Sequence, residues 1–227
     1  MHSITFEFHA NGRGETRAIG IANLVIAGWT GRDMHKVQEH IEELAAIGVA
    51  PPATVPCFYR ASTLLLTTDS AMDCLGAESS GEAEFFLLRT DDGWWVGTGS
   101  DHTDRKVEAY SITVSKQMCP KPIAATLWRL DDVAPHWDQL QILSEVDDGN
   151  GFTTYQQGSV AAMRAPADLI ARYEAINGPI TPGTLMFGGT LPVHGGIRAR
   201  EKFRQSLHDP VLGRTISHSY STRWLPN

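Results

Sequence analysis

Gly81-Glu82-Ala83-Glu84-Phe85-Phe86-Leu87-Leu88 leads through Asp91-Asp92-Gly93 into Trp94-Trp95-Val96-Gly97-Thr98-Gly99-Ser100-Asp101. The apolar run reads as a β-strand, the Asp-Asp-Gly triplet as its turn, and the two halves together as a hairpin. On a strand, residues i and i+2 share one face and sit roughly 7 Å apart. Glu82 and Glu84 therefore share the face that carries Phe86, and the hairpin returns Asp101 toward them. Ionised carboxylates in a core are costly when unpaired. A hard divalent cation relieves that cost by drawing carboxylate oxygens to about 2.0–2.6 Å. The competing reading is an exposed strand start with two solvated glutamates.

The rest of the composition sets limits on function. The 227 residues suffice for one substantial core, and 42% hydrophobic with 20% charged residues is ordinary for a globular enzyme. The net charge of −7 and the lack of a Lys/Arg cluster argue against nucleic acid as a partner. Cys57, Cys74 and Cys119 are an odd number without CxxC spacing, so they read as reduced core thiols of a cytoplasmic protein. The N-terminal residues lack a signal-peptide pattern, and no apolar stretch approaches the ~20 residues of a membrane span, so no membrane partner is expected.

Along the chain, Ser3 to His9 alternates like a strand, Asn11 to Gly14 is a turn, and Ala18 to Gly28 reads as one continuous apolar strand. Asp33 is a candidate N-cap for a helix to about Ile47, with Val37, Ile41, Leu44 and Ala45 as its buried stripe. From Val55 to Asp132 short strands dominate. A short helix is expected within Asp132 to Leu143 and a clearer one over Pro166 to Asn177, followed by strands at Thr184 to Thr190 and Arg214 to Leu225. Strands outnumber helices without regular alternation, which makes the fold class α+β with a β-rich core. Residues 1–50 are expected to form N-terminal strands and a helix packed on a core of residues 51–227.

Several short motifs occur in a telling order. Gly28-Trp29-Thr30 precedes His40-Ile41-Glu42-Glu43, then Val55-Pro56-Cys57-Phe58-Tyr59-Arg60, the Glu82-x-Glu84 strand and Gly97-Thr98-Gly99-Ser100-Asp101 with Arg105. Lys116, Gln156-Gln157-Gly158 and Pro182-Gly183-Thr184-Leu185-Met186-Phe187-Gly188-Gly189-Thr190-Leu191-Pro192 follow. From about Gly28 to Pro192 this series resembles the fumarylacetoacetate hydrolase superfamily, as an atypical branch. The resemblance implies mixed β-sheets rolled around a metal site, and a homodimer.

Position by position, the resemblance makes Glu82, Glu84 and Asp101 the metal-binding acids, with Mg²⁺ or Mn²⁺ as the ion and Ca²⁺ as a further choice. An all-oxygen donor set without cysteine agrees with a hard cation. It makes His40 and Glu43 a His-x-x-Glu pair that activates water, and Lys116 a cation near the reacting carbonyl. Arg105, Gln156, Gly189 and Thr190 become substrate-binding candidates, Arg105 through its planar fork and the Gly188-Gly189-Thr190 turn through N–H and hydroxyl donors. For Arg105 a structural salt bridge, and for the glycine turn a plain tight turn, are equal alternatives. The segment between Glu84 and Asp101 is shorter than usual in the superfamily, Lys106 stands at a position that is usually acidic, and Leu191 is inserted before Pro192.

These features lead to a divalent-cation-dependent hydrolase cleaving a C–C bond in a small acylpyruvate-type 2-oxo acid through a metal-stabilised enolate. A hydratase, dehydratase or decarboxylase of a 2-oxo acid at the same site is the alternative. A non-catalytic small-ligand or carbohydrate-binding domain is the rival from another class. Gly97-x-Gly99 is not a dinucleotide fingerprint, and no His-Glu-x-x-His or Cys/His cluster stands in the sequence to suggest zinc.

Overall fold

A computed structural model describes residues 2–46 and 51–226, with the side chains of His40, Glu43, Leu44 and Ala46 outside the described set. Thirteen strands longer than two residues and five α-helices organise it. The strands are β1 (His2–Ala10), β2 (Arg13–Ile21), β3 (Asn23–Gly28), β4 (Cys57–Ala61) and β5 (Ala71–Leu75). The hairpin pair β6 (Ala83–Thr90) and β7 (Gly93–Ser100) comes next, then β8 (Thr126–Arg129), β9 (Gln141–Asp147) and β10 (Phe152–Ser159). Last are β11 (Thr184–Thr190), β12 (Lys202–Asp209) and β13 (Arg214–Leu225). The helices are α1 (Met34–Ala46), α2 (Arg105–Tyr110), α3 (Ile112–Met118), α4 (Leu130–Val133) and α5 (Pro166–Asn177).

Eight strands form one mixed sheet in the order β2-β1-β8-β7-β6-β11-β3-β4, and five form a second in the order β10-β9-β12-β13-β5. Strands from before residue 30 thus pair directly with strands from the middle and late chain: β1 runs parallel to β8, and β3 parallel to β11. The first sheet is covered on both faces. Phe86 and Leu88 of β6 join Phe6, Phe8, Ile26, Trp95 and Phe187, all from the large sheet, in one apolar cluster. Phe85 and Leu87 face the other way, against Trp137, Ile142, Leu169 and Leu207 of the second sheet and the helical segments. That double coverage explains why β6 reads as a continuous apolar run. Trp95 joins the first cluster and Trp94 packs against the second, as alternation requires.

Several sequence expectations are met. Asp33 Oδ1 accepts from His35 N at 3.1 Å and caps α1, α5 spans Pro166–Asn177, and β11 and β13 fall where the strand signals placed them. Others are corrected. The stretch from Ala18 to Gly28 is two strands rather than one. The chain breaks at Ala22, because β2 continues a hairpin with β1 while β3 is captured by β11 and β4, and the N–H groups of Ala22 and Asn23 both donate to Gly183 O. Ala45 is exposed, so the buried stripe of α1 rests on Val37 and Ile41, while Leu44 and Ile47 lie outside the described residues. The helix expected from Asp132 is one turn of α-helix and a 3-10 segment ending at Gln139, after which Gln141 opens β9.

Glycines let the aromatic rings approach the sheet. A Cβ on Gly188 of β11 would overlap the Phe85 ring of neighbouring β6, and one on Gly97 would overlap Phe86. Because the Phe85 ring is fully buried between layers, Gly188→Ala is expected to destabilise the fold by about 1–3 kcal/mol, the usual cost of overpacking. Urea unfolding would read this as a lowered midpoint at unchanged slope.

Candidate active site

The three acids converge at the open end of the β6–β7 hairpin. Ala83 pairs with Ser100 and Glu84 with Gly99, so the residues just beyond the ladder, Glu82 and Asp101, also face each other, joined by Asp101 N donating to Glu82 O at 3.0 Å. Carboxylate oxygens of Glu82, Glu84 and Asp101 all lie within 4.8 Å of one another. Glu84 is 3% and Asp101 0% exposed, which rules out the solvated strand start.

Cations surround two of these acids. Arg105 Nη1 lies 3.0 Å from Glu82 and 2.8 Å from Glu108, while Arg105 Nε donates to Ser80 Oγ at 2.7 Å. Lys116 Nζ is 2.6 Å from Asp101 and 3.2 Å from Glu82, with Thr103 Oγ1 at 3.3 Å. Lys121 Nζ is 2.8 Å from the other Asp101 oxygen and donates to His102 O at 2.6 Å. Neither Asp101 oxygen accepts an aligned hydrogen bond among the described residues, so these contacts are chiefly charge pairing. Glu84 takes part in no ion pair among the described residues; its carboxylate accepts from Gly189 N at 2.7 Å.

The electrostatics follow from that asymmetry. Burial opposes ionisation of Glu82, but the Arg105 and Lys116 charges outweigh it and hold the carboxyl below its usual range. For Glu84 burial and the neighbouring Asp101 and Glu82 charges act together and push its carboxyl well above the usual range. Burial disfavours the Lys116 ammonium, yet Asp101, Glu82 and Glu108 keep it charged. Four carboxyl groups thus face three cations, and the one left without a counter-charge is Glu84, whose ionisation a bound cation would favour. An all-oxygen set with a carboxylate lacking a counter-charge, beside a buried one with unused lone pairs, fits a hard divalent cation.

The remaining sequence candidates divide by position. Lys116 is within the cluster, its ammonium donating to Glu82 and Thr103 and charge-paired with Asp101. Arg105 braces Glu82 against α2. Gln156 holds the strand end: its Oε1 accepts from Ala83 N at 2.9 Å and its Nε2 donates to Thr190 Oγ1 and Leu191 O, each at 2.7 Å. Thr190 Oγ1 in turn donates to Ala83 O at 2.9 Å. Gly189, with φ +103°, sits in an irregularity of the β11–β6 ladder that turns its N–H toward Glu84. A Cβ there would collide with Thr30 Oγ1 of the Gly28-Trp29-Thr30 motif. His40 and Glu43 lie on α1, but their side chains are outside the described residues.

Residues 27–220 match the family model described as "Protein of unknown function (DUF2848)". The chain belongs to that family. The match spans β3 to β13 and includes every acid and cation named above. No curated protein matches the chain by sequence. Among solved structures it is similar to a Burkholderia cenocepacia protein provisionally named a fumarylpyruvate hydrolase, at 16% identity and a TM-score of 0.67, covering 100% of this chain and 98% of that one. It is also similar to a yeast fumarylacetoacetate hydrolase family protein, at 15% identity, TM-score 0.64 and coverage of 91% and 95%. A third, 2-keto-3-deoxy-D-arabinonate dehydratase complexed with magnesium and 2,5-dioxopentanoate, shares 16% identity at TM-score 0.64, covering 92% and 77%. The fold is therefore that of the fumarylacetoacetate hydrolase family.

Sequence reading missed Lys121 and Glu108. Lys121 lies between two prolines in the Pro120-Lys121-Pro122 triplet, and its side chain is 0% exposed. No local signal marked it: it lies in a two-residue strand that pairs in parallel with Leu66, and its ammonium reaches Asp101. Removing one partner of a buried ion pair leaves an uncompensated charge. Lys121→Met is accordingly expected to cost about 3–5 kcal/mol of stability by denaturant unfolding, with the loss reduced when Asp101→Asn is added.

Proposed function

We propose that this chain is a divalent-cation-dependent enzyme that hydrolyses a C–C bond in a small acylpyruvate-type 2-oxo acid. The observation that carries the reading is the buried Glu84 carboxylate without a cationic partner, within 4.8 Å of Glu82 and Asp101. Glu82, Glu84 and Asp101 would hold the ion. Once bound, it would polarise the 2-oxo group and offset the negative charge that develops as the bond breaks. With the ion bound and Glu84 ionised, four carboxylates would face five positive charges, an excess of one that suits an anionic 2-oxo acid.

The residues around the acids supply fixed geometry. Arg105, Lys116 and Lys121 hold Glu82 and Asp101 in place through contacts of 2.6–3.2 Å. Gly189 aims Glu84, and Gln156 fixes the strand start on which Glu84 sits. The Thr190 hydroxyl keeps acceptor capacity for a substrate group after its two internal bonds. His40, oriented by Glu43, would take a proton from the attacking water and return one to the departing carbon. A magnesium-bound dehydratase among the structural neighbours supports the alternative at the same acids, loss of water from a hydroxylated 2-oxo acid.

Turnover of a panel of acylpyruvates and hydroxylated 2-oxo acids, with Mg²⁺ or Mn²⁺ and with chelator, distinguishes these. Expected are pyruvate release that chelator abolishes and added ion restores, and a loss of roughly 100-fold or more in Glu84→Gln and in His40→Asn. Dehydration without pyruvate release would move the assignment to the alternative. Chelator-insensitive turnover, or none across the panel, would refute a metal-dependent enzyme of this class.

A further inference from the structure

On the other side of the Asp101 turn lies a cluster that the acid site does not use. Cys74 of β5, His102 and Cys119 at the end of α3 each offer a ligand atom within 4.8 Å of the others, and all three are buried, at 1%, 0% and 2% exposure. The residues around them, Met72, Val146, Tyr155, Phe203 and Tyr220, are a dry apolar cluster. Two polar atoms in this space have no hydrogen-bond partner among the described residues: His102 Nε2 and Ser79 Oγ. Orphaned buried groups of this kind are expensive to keep.

A chain of hydrogen bonds fixes which face of the imidazole is left bare. Tyr220 Oη donates to Ser100 Oγ at 3.1 Å, so it accepts from His102 Nδ1–H, also at 3.1 Å. Nε2 then carries a lone pair that meets no aligned donor among the described residues, with the Cys74 sulfur beside the ring. Anchoring one ring nitrogen by a second group while the other stays free is how ligating histidines are usually oriented.

We propose that Cys74, His102 and Cys119 form a second metal site, selective for a soft or borderline ion of the Zn²⁺ class, with Ser79 Oγ at its open coordination position. Two thiolates and a neutral imidazole around a doubly charged ion sum to zero charge, which a dry pocket tolerates and the all-oxygen set next door does not provide. Loading releases the two thiol protons. Zn–S bonds of about 2.3 Å place tetrahedral sulfurs about 3.8 Å apart, within reach of the present spacing by side-chain rotation. The Cys74 thiol neighbours Cys119, His102 and Ser79. A disulfide between the cysteines would leave both orphaned atoms unsatisfied; the ion accounts for all four donors. Such an ion would tie the edge of the second sheet, the Asp101-His102 turn and the segment leading to Lys121 into one rigid unit. The site does not depend on the acid cluster being catalytic.

The test uses the full chain, reduced and stripped with chelator, titrated with Co²⁺ and then Zn²⁺, in the native form and in Glu84→Gln. The expected result is an intense sulfur-to-cobalt charge-transfer band that saturates at a single equivalent, is retained in Glu84→Gln and is displaced by Zn²⁺. Cys74→Ser and Cys119→Ser should each abolish or strongly weaken it. A native chain with both thiols titratable and no such band overturns the proposal. So does a mass lower by two hydrogens in the isolated protein, which would show the cysteines joined to each other.

Discussion

The structure turns on an imbalance of charge where water is scarce. Four carboxyl groups meet three cations at the open end of one hairpin, and the one left without a counter-charge is Glu84, which accepts from a single backbone N–H. Three cations with Glu82, Asp101 and Glu108 would make a buried ion-pair network, which by itself says little about function. The fourth carboxyl changes that reading, because it takes part in no ion pair among the described residues. Much of the surrounding fold serves to keep it there. Gln156 ties the strand start to β10, Thr190 ties it to β11, and Gly189 is free of a Cβ because Thr30 fills that space.

The parts legible in the sequence were those governed by local spacing. Glu82-x-Glu84, the Asp91-Asp92-Gly93 turn and Asp101 lie within one hairpin, so their meeting follows from strand pairing alone. The Pro166–Asn177 helix carries its own start and stop signals in Pro166 and Gly178. What could not be read depended on partners far away in sequence. β9, β10 and β12, for which no strand was expected, pair with one another in the second sheet. The break at Ala22 arises because Gly183, more than 150 residues later, accepts both local N–H groups. Lys121 went unread because the strand it pairs with begins at Leu66, more than 50 residues earlier.

The roles of the polar residues were the least legible part of the site. Gln156, Gly189 and Thr190 read from sequence as groups that could touch a substrate, and Lys116 as a free cation beside a carbonyl. In the fold, nearly all their donors are turned inward, toward the acids and the strand that presents them. Residue type and order indicate that a polar group belongs to a site. They do not reveal whether it faces the ligand or the scaffold, since that depends on which backbone groups remain unpaired after folding.

The same limit explains the cysteines. Their spacing excludes every local metal motif, and taken one at a time they are ordinary core thiols. Cys74 reaches the cluster through parallel pairing of β5 with β13, His102 through the hairpin that delivers Asp101, and Cys119 through the end of α3. Adjacent residues in extended backbone point to opposite sides, so Asp101 and His102 project from one turn into two environments, one of oxygen donors and charge, the other of sulfur and aromatic rings. Ser100 joins them, accepting from Glu82 N on one side and from the Tyr220 hydroxyl on the other. A displacement of His102 must therefore be felt at Asp101 through the backbone and at Glu82 through Ser100. Rigidity at the acids is decided in part by how well the sulfur side is packed, a dependence that no single motif in the chain expresses.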